Sequence, residues 1–473
     1  MTFSEYSALS VSDARVLTQI NIGNLNKQFV NAGSGIWKLN MDGLYPEVDP
    51  LLLEGFTAQN FGDVGAVTVD GIPYTEAASL LALTGDTEAY YWDLAGKNLY
   101  VCLIDYDEPW LHNIFLGIIH GYSFDEFEPV GLNQLYEGRL TGSPTISQSR
   151  DPLFWGKMQY SLGGVSFINS DKEFDTFADS EDIYGNEVNF LFGYKQLDIS
   201  DYINIYSGSI GDIETSEEEM QLSFVDKRFS LTKAIQYTCV AKNALDAIVE
   251  ILATSYGVQY DETYYDTTAW ATATAFVPVI TIRMQEEGST IDLIEEICGS
   301  IFGLFIILPD NRFSFKIVDT SAAALITIPG TDILNHHTIS YKTSEVVSSV
   351  AVGYNKNWSS DYVSPYTWLT DTSREDAIYL KYKTYNQKKY YTLLTNLTDA
   401  QAFSNTILDY AQDVHASGVA TVPMKYYSYE VADIVNIEIN REKTTMLGTK
   451  KCEITSKQYN LKEANITFGY RVV

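Results

Sequence analysis

The 473-residue sequence predicts a mainly β protein with a smaller α+β part. Three observations carry that reading. Tyr and Phe are abundant, at 34 and 22 residues, and both suit half-buried pleated surfaces and contact faces. Apolar and polar positions alternate through much of the chain and are broken by Asp-Gly, Gly-Lys and similar turn signals. Three longer stretches in the second half instead show apolar residues at helical spacing. At about 150 residues per domain, the length points to about three domains.

Residues 1–20 are polar and small, with helix-like spacing at Ala8, Val11, Val16 and Leu17, and are expected to form an arm. Residues 21–145 read as β. Strands are expected around Ala66–Tyr74, Tyr90–Asp93, Gly96–Leu103 and Ile114–Tyr122, with Asp105–Pro109 as an acidic loop. The segment Ser147–Leu231 is a run of strands and tight turns. Within it, residues 171–219 contain 14 Asp or Glu against two Lys. A solvated surface accounts for such a run, and a negative wall facing a channel is the sharper alternative.

At Ala244–Leu252 the pattern becomes helical and ends near Gly257. A second helix is expected at Ser289–Cys298, with Ser289 or Thr290 as N-cap. A hairpin follows, Leu304–Leu308 and Phe313–Val318 around Pro309-Asp310-Asn311-Arg312. Two helices with intervening strands make a small α+β domain over residues 236–337. From Ile339 the chain reads as β again, including a Tyr- and Lys-rich stretch at Tyr379–Tyr391. A helix over residues 398–415 interrupts it, opened by the capping-box-like Thr398-Asp399-Ala400-Gln401. Strands at Ala420–Tyr426, Ile434–Asn440, Lys450–Ser456 and Ala464–Tyr470 close the sequence.

Net charge is −31, so counterion release cannot drive binding to a polyanion. Such a surface lets DNA pass without sticking, and plain solubility explains the same charge. Residues 438–473 carry seven Lys or Arg against four Glu, a mildly basic end suited to an acidic neighbour. Cys102, Cys239, Cys298 and Cys452 lie far apart and read as buried thiols rather than a zinc site or a disulfide framework. The N-terminus lacks a basic region followed by an apolar core, so no secretory leader is expected. The longest apolar run, Ile301–Leu308, is too short to span a bilayer, and no stable membrane insertion is expected.

No constellation for catalysis stands out. His112 and His120 are eight residues apart. His336 and His337 are adjacent, so in a strand their rings point to opposite faces and make poor co-ligands for one metal, and ordinary polar surface is the favoured reading. His415 stands alone. There is no His-Glu-x-x-His, Gly-x-Ser-x-Gly or P-loop motif. No metal, cofactor or catalytic residue is assigned, and the chain is expected not to be an enzyme. The aromatic stretch with Trp358, Tyr362, Tyr366 and Trp368 is a candidate contact loop, with sugar binding as its alternative.

Three motifs, in order, resemble phage tail hub proteins, the family of contractile and siphophage hubs and of gene transfer agents. The first runs from Ser147-Gln148-Ser149-Arg150 through Asn169-Ser170-Asp171 and Glu173-Phe174-Asp175 to Gly208-Ser209-Ile210 and Val225-Asp226. The second is the helix and hairpin Ser289–Val318. The third is Val431-Ala432-Asp433-Ile434-Val435 with Thr455-Ser456 and Asn460-Leu461; Ala432 stands where the family has Gly. The resemblance covers residues 147–473.

It implies two tube-like β-barrel domains, 146–235 and 338–473, the latter with the inserted helix 398–415. The α+β domain 236–337 lies between them, and 1–145 is an N-terminal β module with a possible arm. It further implies a homotrimer whose six barrels form a ring, a closed arrangement that leaves few bare sheet edges. The ring would join the six-fold tail tube, or a distal tail protein ring, to a three-fold central fibre or spike. Tape measure protein and DNA would pass through its channel, the DNA without specific binding. Glu217, Glu218 and Glu219 are the candidate channel wall. The location implied is the tail tip of the virion, after synthesis in the host bacterial cytoplasm. The rival roles are a receptor- or carbohydrate-binding tail protein and a tail-associated cell-wall hydrolase.

Overall fold

The computed structural model describes residues 14–21, 30–33, 36–40, 67–69, 72–76, 89–93, 98–102, 114–116, 119–124, 138–142, 145–150, 156–162, 164–172, 174–175, 187–198, 201–225, 227–284, 286–310, 312–335, 338–358, 366–439 and 448–473. The chain divides into two compact units, one built from Ser10–Pro144 and Gly164–Val225, the other from Thr145–Gly163 and Asp226–Val473.

The described residues of the first unit form strands joined by turns and short loops. One six-stranded sheet runs in the order Val165–Ile168, Glu219–Val225, Ile203–Thr215, Glu187–Tyr194, Ala14–Asn21, Ile119–Tyr122. Every neighbouring pair in it is antiparallel. Glu219–Val225 shows why these residues form a strand: Met220, Leu222 and Phe224 are buried while Gln221 is exposed, a strict period of two. Phe224 meets Phe190 edge-on at 5.0 Å. A second sheet of seven short strands takes in Val67–Val69, Ile72–Glu76, Ala89–Asp93, Asn98–Cys102 and Ile114–Leu116, as the alternation predicts. The helix-like spacing before residue 20 is overturned at its end. Ala14–Asn21 is a strand, held between Glu187–Tyr194 and Ile119–Tyr122. Partners about a hundred residues or more away along the chain decide its conformation.

In the second unit the main sheet runs Met158–Leu162, Thr145–Arg150, Gly448–Asn460, Asn465–Val472, Ala416–Pro423, Thr338–Tyr341. Gly448–Asn460 changes partner along its length. Its first half pairs with Ile434–Ile439 and its second half with Thr145–Arg150. A bulge between Ile454 and Ser456, on its other edge, falls at the change. A bulge adds local twist, so the sheet curls there. Ile203–Thr215 in the first unit differs in having its two partners on opposite edges. It also has 13 residues, carries a bulge between Ile210 and Ile213, and pairs first with Glu187–Tyr194 and then with Glu219–Val225.

Among the described residues, the α-helices pack in the second unit. α1 (Ala244–Tyr256) is capped by Asn243, whose side chain accepts from the Leu245 amide at 3.0 Å, and ends at left-handed Gly257. α2 (Thr267–Thr274) is capped by Asp266. α3 (Thr290–Ser300) packs with α1 and Trp270 of α2 around one core. α4 (Glu375–Tyr382) buries only Ile378. α5 (Leu397–Ala411) begins at Asn396, whose side chain accepts from the Asp399 amide at 2.8 Å, rather than at Thr398. The apolar run around residue 305 is a strand buried on both faces: Phe305 belongs to the α1–α3 core, while Leu304 and Ile306 belong to the core under α5.

A buried charged network ties α5 to the sheet. Arg150 Nε donates to Glu453 Oε1 at 2.8 Å, and Arg150 Nη2 also contacts that carboxylate. Tyr410 Oη donates to Glu453 Oε2 at 2.9 Å and accepts from Arg150 Nη2 at 2.8 Å. Arg471, cross-strand from Glu453, lies 3.8 Å over the Tyr410 ring and donates to the Tyr410 carbonyl at 2.8 Å. Burial pushes the Tyr410 hydroxyl up to about 12.

Ala432 holds a backbone conformation that favours glycine. Its φ is +70°, a region where a Cβ crowds the following carbonyl, and its amide donates to the Ile454 carbonyl at 2.7 Å, which holds it there. Left-handed backbone costs about 1–2 kcal/mol for a residue with a Cβ, partly offset by the entropy that glycine loses on folding. Ala432→Gly is therefore expected to stabilise the protein by about 0.5 kcal/mol, read as a raised urea midpoint.

Candidate interaction surfaces

The acidic candidates Glu217, Glu218 and Glu219 come together at the tip of the hairpin joining Ile203–Thr215 to Glu219–Val225. The Ser216 amide donates to the Glu219 carbonyl at 2.8 Å, and Ser216 Oγ accepts from the Glu219 amide at 3.0 Å, which closes the turn. Glu217 and Glu218 are exposed. Glu219 turns back. Hydrogen bonds from Ser166, Gln221 and Thr141 hold its carboxyl below the usual carboxylate range.

The tip is pinned by a residue of the first sequence motif. Asn169 is fully buried. Its amide donates to the Glu218 carbonyl at 2.8 Å, and its Nδ2 donates to the Ser216 carbonyl at 3.0 Å and to Asp175 Oδ1 at 2.8 Å. Its Oδ1 accepts from the Phe174 amide at 3.0 Å. Arg139 adds an ion pair to Asp171 at 2.8 Å. Asn169 and Asp175 of the motif thus fix where the acidic tip sits in its unit. Asn169→Ala leaves several of these groups without partners and is expected to cost about 2–3 kcal/mol. Hydrogen exchange should locate the loosening at residues 169–175 and 214–219; uniform exchange throughout the unit would contradict the pinning role.

Of the aromatic candidates, the structure brings Tyr366 and Trp368 together, with ring centroids 6.1 Å apart. Tyr391, which the sequence did not single out, completes the group at 5.4 Å from Tyr366 and 5.3 Å from Trp368. Tyr362 lies outside the described residues. Trp358 packs against the α1–α3 core and carries the Lys356 ammonium 3.8 Å above its ring, a cation–π contact. Burial pushes the Tyr366 hydroxyl up to about 12, with Glu296 and Tyr391 adding to it.

Beside Trp358 opens a cleft of about 340 Å³. Met284, Leu293 and Trp358 give it apolar walls, and Glu286, Asp292, Glu296 and Lys356 give it charge. Asp292 and Glu296 stand one turn apart on α3 and so share a face. Burial raises the Glu296 carboxyl, and Lys356 opposes that shift.

The remaining polar candidates show no shared centre. His120 lies in the strand Ile119–Tyr122, and His112, His336 and His337 lie outside the described residues. His415 Nδ1 is 2.8 Å from the Val472 carbonyl. Cys102 ends the strand Asn98–Cys102. Cys239, Cys298 and Cys452 are buried free thiols, and burial raises all three, Cys452 to about 12. Among the described residues no group of three or more His, Cys, Asp or Glu is placed to hold a metal. No helix among them is long and apolar enough to cross a membrane.

No family model and no curated protein matches the sequence. Among solved structures, the chain is similar to the tail protein from Neisseria meningitidis MC58, with 12% identity and a TM-score of 0.44 over 71% of this chain and 95% of that one. It is similar to the 43 kDa tail protein of prophage MuSo2 from Shewanella oneidensis, with 11% identity and a TM-score of 0.44 over 72% and 96%. It is also similar to prophage tail protein gp18 from Listeria monocytogenes EGD-e, with 10% identity and a TM-score of 0.36 over 69% and 94%. At these identities and TM-scores the likenesses assign no activity and no partner. All three are described as tail proteins, two of them of prophages.

Proposed function

We propose that this protein is a non-enzymatic structural component of a phage tail, a hub that forms a homotrimeric ring at the tail tip. The observation that carries the reading is the long bulged strand found in each of the two units. Each holds a largely antiparallel sheet with one bulged 13-residue strand, whose partners lie on opposite edges in the first unit and follow one another on one edge in the second. Two such sheets per chain are what a three-copy ring needs to present six similar elements to a six-fold tube while keeping three-fold symmetry below. Closure would also cover sheet edges that otherwise invite irregular pairing. The tube or distal tail ring, the tape measure protein and a central fibre or spike are its partners in this reading. The domain limits 1–145, 146–235, 236–337 and 338–473 belong to the same proposal.

The exposed Glu217 and Glu218 would line the channel and repel passing phosphates. Glu217→Lys with Glu218→Lys is expected to leave folding intact, since neither side chain is buried, and to slow DNA ejection by counterion release onto the new cations. Unchanged ejection kinetics would remove these residues from the wall. Position in the intact particle tests the role itself. Labelled copies are expected as a three-fold ring collinear with the tube, and a peripheral position would favour receptor binding instead.

A further inference from the structure

Two opposite charges face the cleft beside Trp358 without meeting. Glu296 is half-buried on α3, and its carboxylate makes no hydrogen bond or ion pair with the described residues. Lys356 is half-buried across from it, resting on the Trp358 face and likewise without an ion-pair partner among the described residues. Keeping a carboxylate partly out of water without a donor costs free energy, so its position favours something that brings one. The cleft holds three carboxylates against one ammonium, an excess that favours a cation. Its apolar wall of Met284, Leu293 and Trp358 suits a methylene stem. The Trp358 ring already holds an ammonium, so this wall accepts cations. That face is occupied by Lys356 and the ring also rests on the core, which leaves a poor platform for stacking a sugar.

We propose that this cleft seats a basic, extended segment of a partner protein. An Arg or Lys head would bond Glu296 and Asp292 while its stem lies along Met284 and Leu293. The segment's main-chain carbonyl would accept from Lys356, which gives both half-buried charges a partner. The site is independent of the ring reading, because it is formed within one unit of one chain.

The test uses the full chain and the capped peptide acetyl-Gly-Arg-Gly-Arg-Gly-amide, with binding read by tryptophan fluorescence at physiological salt. Glu296→Gln is expected to weaken binding about tenfold, the usual effect of losing one charge-assisted hydrogen bond. Asp292→Asn is expected to weaken it less, because that carboxylate is exposed. Glu217→Gln with Glu218→Gln removes two charges elsewhere and is expected to leave affinity unchanged. Equal affinity in Glu296→Gln would overturn the proposal. So would an equal loss in the Glu217/Glu218 control, which would mean that only the net charge of −31 is being sensed. Binding of a neutral trisaccharide in place of the peptide would overturn it in favour of a sugar site. Unchanged thermal melting of each variant excludes misfolding as the cause.

Discussion

Replacing Glu453 with alanine is expected to cost about 3–5 kcal/mol of stability, the range for breaking a buried ion pair from one side. Glu453 is fully buried and accepts from both Arg150 and Tyr410. Without it, Arg150 keeps a full charge at 4% exposure, and Arg471 lies over the ring of the same tyrosine. Two guanidinium groups would then share that pocket with no anion between them. The helix α5 and the strands Thr145–Arg150, Gly448–Asn460 and Asn465–Val472 all contribute to this network, so its loss reaches the whole sheet. The double replacement Glu453→Ala with Arg150→Met removes both charges and should recover much of the loss. Urea titration of the single and double variants measures this. A single variant within about 1 kcal/mol of the parent would mean that the pair is not buried as described.

Gly156→Ala is the second large effect, expected at about 2–5 kcal/mol. Gly156 has φ +92°, where a side chain is strained. An added Cβ would also fall 2.3 Å from the Gly299 amide nitrogen and 2.6 Å from the Glu295 carbonyl oxygen, both backbone atoms of α3. No rotamer change can relieve that, so α3 must shift and disturb the core formed with α1. Relief by Gly299 itself is impossible, since it is already the smallest residue. A drop in the urea midpoint with loss of exchange protection in α3 is expected. An unchanged midpoint would contradict the close approach of the two glycines.

Much of this fold was legible because many elements bury one face. The alternation at Met220, Leu222 and Phe224 and the helical spacing of Ala244–Leu252 report burial directly. α2 and α4 were missed for the same physical reason. α2 buries only Trp270 and Ala273, and α4 only Ile378, so neither writes a stripe into the sequence. The stretch Tyr379–Tyr391, read as β, is the end of α4 followed by the strand Gln387–Tyr391. Its lysines and tyrosines carry no period because most of that surface is exposed. Ala14–Asn21 was misread because distant partners on both sides, not its own spacing, make it a strand.

The candidate surfaces were legible in part. The acidic run marked Glu217–Glu219, and the aromatic run marked Trp358, Tyr366 and Trp368. What pins them was not legible. Asn169 reaches Ser216 across 47 positions, and Glu296 faces Lys356 only once α3 and the loop after Tyr354 are placed. Such pairings have no local signature. The Arg150–Glu453 pair, 303 positions apart, is the extreme case.

Averaged electron-microscope images of the purified full-length protein, viewed along its symmetry axis, test the central claim most directly. The expected result is a closed ring of three copies with six similar peripheral densities around an open hole. Single copies, or an assembly with no hole and no three-fold order, would contradict it.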